Sequence, residues 1–152
     1  MEQVAIRDAV ADDAGRIVEL LMLGALVGGR EDPGDLTTYR AVIAEQAGGP
    51  GAVLVAEVDG AVVGVCQLIV FRHLQQRGGW CAEVESVHVH PEVRGRGVGG
   101  TLLEAAVARA AEAGCYRVQL TSNVQRPDAH RFYERHGFQA THRGFKRLLG
   151  PG

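Results

Sequence analysis

The stretch from Trp80 to Leu103, W-C-A-E-V-E-S-V-H-V-H-P-E-V-R-G-R-G-V-G-G-T-L-L, constrains the fold more than any other part of the chain. Glu83 to Val89 alternates and is rich in valine, the pattern of a strand. Pro91 stops the ladder because it has no N–H to donate. Arg94-Gly95-Arg96-Gly97-Val98-Gly99-Gly100 follows, and an apolar helical pattern begins at Leu102. A strand, a glycine-rich turn and a helix start, in that order, form an anion cradle. Glycines let the backbone approach closely, and the free amides and dipole at a helix start favour negative charge.

The rest of the chain can be ordered around this unit. Val4 to Arg7 forms a short strand. Asp12 or Asp13 caps a helix carrying Ile17, Leu20, Leu21 and Val27, and a second helix starts at Asp35 or Thr37 and ends near Gly48. Ala52–Val58 and Ala61 to about Phe71 are apolar strands joined by Asp59-Gly60, a strong hairpin signal. With Glu83–Val89 they make an antiparallel meander. A helix spans Gly97 to Ala113, its apolar face carrying Leu103, Val107, Ala110 and Ala111. The strand at Arg117–Thr121 is entered from that helix and so lies parallel to its predecessor. Asp128 caps a helix to His136, and short strands are expected at Phe138–Thr141 and Gly144–Leu148. The order β-α-α-β-β-β-α-β-α-β-β describes one α/β domain over residues 1–152, a mixed twisted sheet of about seven strands flanked by helices.

This order narrows the anion. The dinucleotide fingerprint needs a parallel βαβ unit near the chain start, whereas here the turn follows a meander. The G-x-x-x-x-G-K-[ST] loop is absent. The cradle therefore suits a pyrophosphate bound without a metal, with Arg94 and Arg96 as countercharge. No His/Cys/Asp set has metal-ligand spacing.

Bulk properties exclude other classes. Of 152 residues, 21 are glycine, and the net charge is -2, so no basic footprint for nucleic acid is present. No run approaches a membrane span, and the N-terminal M-E-Q-V-A-I-R-D lacks the apolar centre of a signal peptide. Cys66, Cys81 and Cys115 are widely spaced, which suits reduced thiols in a cytoplasmic protein.

Arg94-x-x-Gly97-x-Gly99, preceded by V-H-V-H-P-E, resembles the acetyl-CoA motif of the GNAT superfamily of N-acetyltransferases. Asn123 and the segment D-A-H-R-F-Y-E-R-H-G-F from Asp128 to Phe138 resemble that family's closing segment. The resemblance implies the family's acyl-CoA N-acyltransferase fold, with acetyl-CoA as co-substrate. It implies that backbone amides of Arg94, Gly95, Arg96, Gly97, Val98 and Gly99 hold the pyrophosphate. Pantetheine would lie along the main chain at Val87 and Val89, with the Val89 amide meeting the thioester carbonyl and the strand splayed from its neighbour. Asn123 would touch the cofactor arm, and Tyr133 would face the cofactor sulfur. The segment from Leu120, with H-L-Q-Q-R-G-G-W before the motif strand, resembles the aminoalkylphosphonate N-acetyltransferase branch.

The chemistry gives these positions work. A protonated amine cannot attack a thioester until a base takes its proton. Glu83 and Glu85 lie on the motif strand, where plain alternation puts them on the face of Val87 and Val89. Glu83 ranks first because it lies eleven residues before Arg94, the spacing of the base in some members; Glu85 ranks second. An amide at Val89 would stabilise the oxyanion, and Tyr133 would protonate the departing thiolate. Adjacent Phe132 and Tyr133 should not both face the core. Alternation sends His88 and His90 to the face opposite the valines. The expected activity is acetyl transfer to a primary amine of a small molecule. A protein or peptide N-acetyltransferase and a non-catalytic acyl-CoA sensor are the alternatives. A homodimer is expected from the resemblance; no nucleic-acid or membrane partner is.

Overall fold

The computed structural model describes residues 3–26 and 29–150. Its core is a five-stranded sheet in the order β1-β2-β3-β4-β5. The strands are β1 (Val4–Asp8), β2 (Ala52–Val58), β3 (Ala61–Arg72), β4 (Trp80–Val89) and β5 (Cys115–Gln119). The helices are α1 (Ala14–Leu23), α2 (Thr37–Gln46), α3 (Val98–Glu112) and α4 (Pro127–Arg135). The first four strands are antiparallel neighbours, and β4 and β5 run parallel.

Local chemistry explains the joints. Asp59 and Gly60 both take positive φ, 51° and 79°, as a two-residue hairpin turn requires. Gly114 takes φ 82° just after α3. Trp80, Cys81 and Ala82 extend β4 upstream of the predicted start at Glu83 because they pair with both β3 and β5. The expected helix through Val27 ends at Leu23, and Val27 itself lies outside the described residues.

Two apolar layers sandwich the sheet. On one side Leu54, Cys66, Leu68 and Val84 pack against Val98, Leu102, Leu103, Ala106 and Ala110 of α3. On the other, Val53, Val55, Val62 and Val65 pack against Ile17 and Leu20 of α1 and Ile43 of α2. The buried stripe of α3 is centred on Leu102, Leu103, Ala106 and Ala110, rotated from the predicted one, and Ala111 is exposed. Arg109, at its edge, pairs with Asp8 of β1 at 2.5 Å.

The two terminal strands expected at Phe138–Thr141 and Gly144–Leu148 do not form; among the described residues the sheet has five strands rather than seven. The pattern that suggested them has no burial behind it: Phe145, Leu148 and Leu149 are 91%, 86% and 94% exposed. Phe138 instead packs against the α3 cluster.

One polar knot ties β1 to the start of α1. The buried Asp13 carboxylate accepts from Arg7 Nη1 and Nη2 at 2.7 and 2.9 Å and from the Val10 amide at 2.7 Å, while Arg7 Nε donates to Glu57 of β2 at 2.9 Å. The Arg7 hydrogen bonds, more than the opposing burial, hold the Asp13 carboxyl below the usual carboxylate range. That lowered pKa makes the contribution to stability full above the unfolded value of ~3.9 and lost as pH falls through the folded one. Asp13→Ala is expected to cost about 2 kcal/mol in urea unfolding at neutral pH, with the difference from wild type shrinking below about pH 4.

Candidate active site

The glycine turn builds the first wall. Gly95 and Gly97 adopt φ 80° and 81°, left-handed values that let the chain fold back before α3. Gly97 is the N-cap residue of α3, so the free amides of Val98, Gly99 and Gly100 open toward the turn. A cleft of about 1140 Å³ opens there, bounded by Val87 and Val89 of β4, by Arg94, Gly95 and Gly97 to Gly100, and by Arg126, Phe132 and Arg135. Glycines, helix-start amides and three arginines suit an elongated anion such as a pyrophosphate. Arg94 Nε donates to the Val89 carbonyl at 3.3 Å, fixing the turn to the strand end. Arg96 is exposed and is not among the lining residues.

The second wall comes from the end of β4. The β4–β5 ladder runs from Trp80 to Glu83, so Glu85 to Val89 continue without a β5 partner. In the same place β4 departs from plain alternation. Glu85 pairs with Gln67 and His88 pairs with Val65, so Ser86 and Val87 together oppose the single residue Cys66. This is a β-bulge, and Ser86 takes φ 53° to make it.

The bulge overturns one sequence expectation. Glu83 and Glu85 do not share a face with Val87 and Val89. The valines pack toward α3 with Cys66 and Leu102, whereas Glu83 and Glu85 lie opposite Ile69 and Gln67, on the face of Val65. His88, opposite Val65, stays on the face away from the valines as expected, and that is the carboxylates' face. One strand thus offers an apolar edge to the cleft and a polar edge behind it.

Electrostatics distinguish the polar groups. Burial first, then the neighbouring Glu83 charge and a hydrogen bond with Glu83, push the Glu85 carboxyl above its ordinary range; Lys146 acts the other way. Burial also pushes the Tyr133 phenol up, with Cys66 and Glu85 adding to it and Arg126 opposing, so the hydroxyl keeps its proton at neutral pH. Burial, then the charges of Arg126 and Arg94, lower His88, with Glu31 opposing. Cys66 is a buried thiol pushed up to about 12 and is no nucleophile.

Phe132 and Tyr133 depart from expectation. Both rings pack against the α3 cluster, tilted to each other at 5.2 Å. Neighbours on a helix point only about 100° apart, so a broad apolar surface receives both. Asn123 is exposed, and its Oδ1 accepts from the Gln125 amide at 2.9 Å, shaping the loop before α4. Arg131 pairs with Asp128, while His136 meets Glu104 at 2.9 Å and joins α4 to α3. Sequence reasoning missed Ser86 and Gly24, which neither periodicity nor a motif marks.

Comparison with known proteins names the class. A model of the acetyltransferase (GNAT) family matches residues 17–138, and the chain belongs to that family. Over 91 residues it is 37% identical to the aminoalkylphosphonate N-acetyltransferase of Salmonella typhimurium, covering 60% of this chain and 58% of that enzyme. Over 142 residues it is 32% identical to aminoglycoside N(6')-acetyltransferase type 1 of Stenotrophomonas maltophilia, covering 91% of this chain and 88% of that one. The match thus spans little more than half of the Salmonella enzyme. A solved structure from Bacillus halodurans C-125, described as a transcriptional regulator, has TM-score 0.87 and 35% identity over 97% of this chain and 100% of that chain. An aminoglycoside N-acetyltransferase solved in complex with CoA shares the fold at TM-score 0.78 and 19% identity, over 99% and 97% of the two chains.

The turn makes a direct prediction. Gly97→Ala forces a side chain into the left-handed region, and its expected cost is about 1 kcal/mol, read as a lower midpoint in thermal or urea unfolding.

Proposed function

We propose that this chain is an acetyl-CoA-dependent N-acetyltransferase acting on a primary amine of a small molecule. The observation that carries the proposal is the end of β4, which leaves β5 and bulges beside the glycine turn. It opens one face to an anionic, elongated cofactor and the other to a base. The relatives that act on aminoalkylphosphonates and aminoglycosides support a small amine as acceptor.

Acetyl-CoA supplies the thioester. The amides from Arg94 to Gly99, with Arg94, Arg126 and Arg135, hold the phosphates; the free main chain at Val87 and Val89 receives the pantetheine arm; Asn123 shapes the loop alongside it. On the other face the Glu83–Glu85 pair takes the amine proton. Sequence spacing ranked Glu83 first, but the raised carboxyl is Glu85, and a raised pKa makes the better base at neutral pH. Tyr133 keeps its proton and gives it to the leaving thiolate. A cytoplasmic location and a homodimer belong to the same proposal.

Thiol release from acetyl-CoA with a panel of small amines and peptides tests the activity. Turnover with small amines is expected; tight cofactor binding with no turnover refutes catalysis, and turnover on peptides alone refutes the acceptor class. Tyr133→Phe should lower kcat about 10²-fold with acetyl-CoA affinity kept. Rate should rise with pH through the Glu85 pKa, since the base works deprotonated. Glu83→Gln removes the neighbouring charge and should move that acid limb to lower pH, whereas Glu85→Gln should abolish the limb and lower kcat about 10²-fold. An unshifted limb in both variants would remove the pair from the scheme.

A further inference from the structure

Gly24 follows α1 with φ -90° and ψ -4°, a conformation open to any residue. Its backbone does not require glycine, but its surroundings do. A Cβ there would overlap the His88 ring, and the three nearest atoms it would meet all belong to His88. The carbonyl of the same residue accepts from Arg126 Nη2 at 2.5 Å. Gly24 is thus held from two sides, by a side chain of β4 and by the N-cap residue of α4.

Both holding residues line the cofactor cleft. His88 also lies on the polar face of β4 beside Glu85, because the bulge turns it there. His88 therefore borders the cleft and the base's face at once. The connection from α1 to α2 leaves from this point. Its other end is fastened to α2: the Tyr39 hydroxyl donates to Glu31 at 2.8 Å and accepts from the Asp32 amide at 2.8 Å. Glu31 is close enough for its charge to act on His88, as are Arg94 and Arg126.

We propose that Gly24, His88 and Arg126 form a clasp at the edge of the Glu85 face of β4, where the amine would meet the thioester, with His88 as the specificity-determining residue. The imidazole fills the gap between α1 and β4 and so limits the acceptor's approach to the thioester carbon. The inference rests on the acetyl-transfer reading above.

Steady-state kinetics on the full chain test it, with the best amine from the thiol-release panel as probe. His88→Ala should raise the acceptor KM about tenfold while the acetyl-CoA KM stays within about twofold, and should admit bulkier amines that wild type rejects. His88→Gln, which keeps bulk and polarity, should recover most of the loss. Gly24→Ala should reproduce the acceptor effect by displacing the ring. In the His88→Ala background, Gly24→Ala should add little, since the three atoms nearest to the new Cβ are gone. An unchanged acceptor KM in His88→Ala, or additive effects in the double variant, overturns the clasp. A wild-type protein that turns over no amine refutes the acetyl-transfer reading, and with it the acceptor role of His88; active wild type with an unaltered His88→Ala refutes the clasp alone.

Discussion

The site depends on one irregularity: two residues of β4, Ser86 and Val87, oppose one residue of β3. In regular antiparallel pairing, side chains alternate without exception, and a strand gives every second residue to the same face. The extra residue reverses that parity midway. Upstream of it Val84 and Ala82 pack toward α3, and downstream Val87 and Val89 do. The carboxylates and His88 are left together on the opposite face. Ser86, exposed and at φ 53°, bears the conformational cost where no side chain has to be buried. Without the bulge His88 would fall on the α3 face with Ala82 and Val84, and Gly24 would have no ring to meet.

The bulge is effective because β5 stops pairing in the same region. The parallel ladder ends at Glu83 and Gln119, so the main chain of β4 from Glu85 onward has amides and carbonyls not committed to β5. The Asp13 knot and the α3 stripe hold the other strands in register. The parting is therefore local, and the two walls keep their relation to the glycine turn. The two neighbouring rings of α4 close the end of this opening, with Phe132 toward Gly99 and Tyr133 within range of Glu85 and Cys66.

Much of this was legible in the residues. Strand, proline, arginine-flanked glycines and apolar helix follow each other in the Trp80–Leu103 stretch because each has a local conformational cause. The Asp59-Gly60 turn and the parallel entry of β5 are likewise local or topological consequences. What escaped was non-local. A bulge is a mismatch between two strands, so the alternation of V-E-S-V-H-V alone assigns Glu85 and Val87 to one face. Gly24 carries no local signal because its φ is ordinary; its need for glycine comes from a ring far along the chain. The ranking of Glu83 over Glu85 rests on spacing to Arg94, whereas the proposal of Glu85 as base rests on its burial, which depends on what covers the strand. The terminal strands were expected from pattern alone, but Phe145 and Leu148 find no cover in this chain.

The most direct test of the account is a crystal structure of the protein with a conjugate in which CoA is joined through an acetyl bridge to the best acceptor amine. The account predicts phosphates at the amides of Gly95 to Gly99, the bridge at the bulge of β4, and the amine on the far face beside Glu85 and His88. An amine on the face of Val87 and Val89, or one distant from both Glu85 and His88, would contradict it.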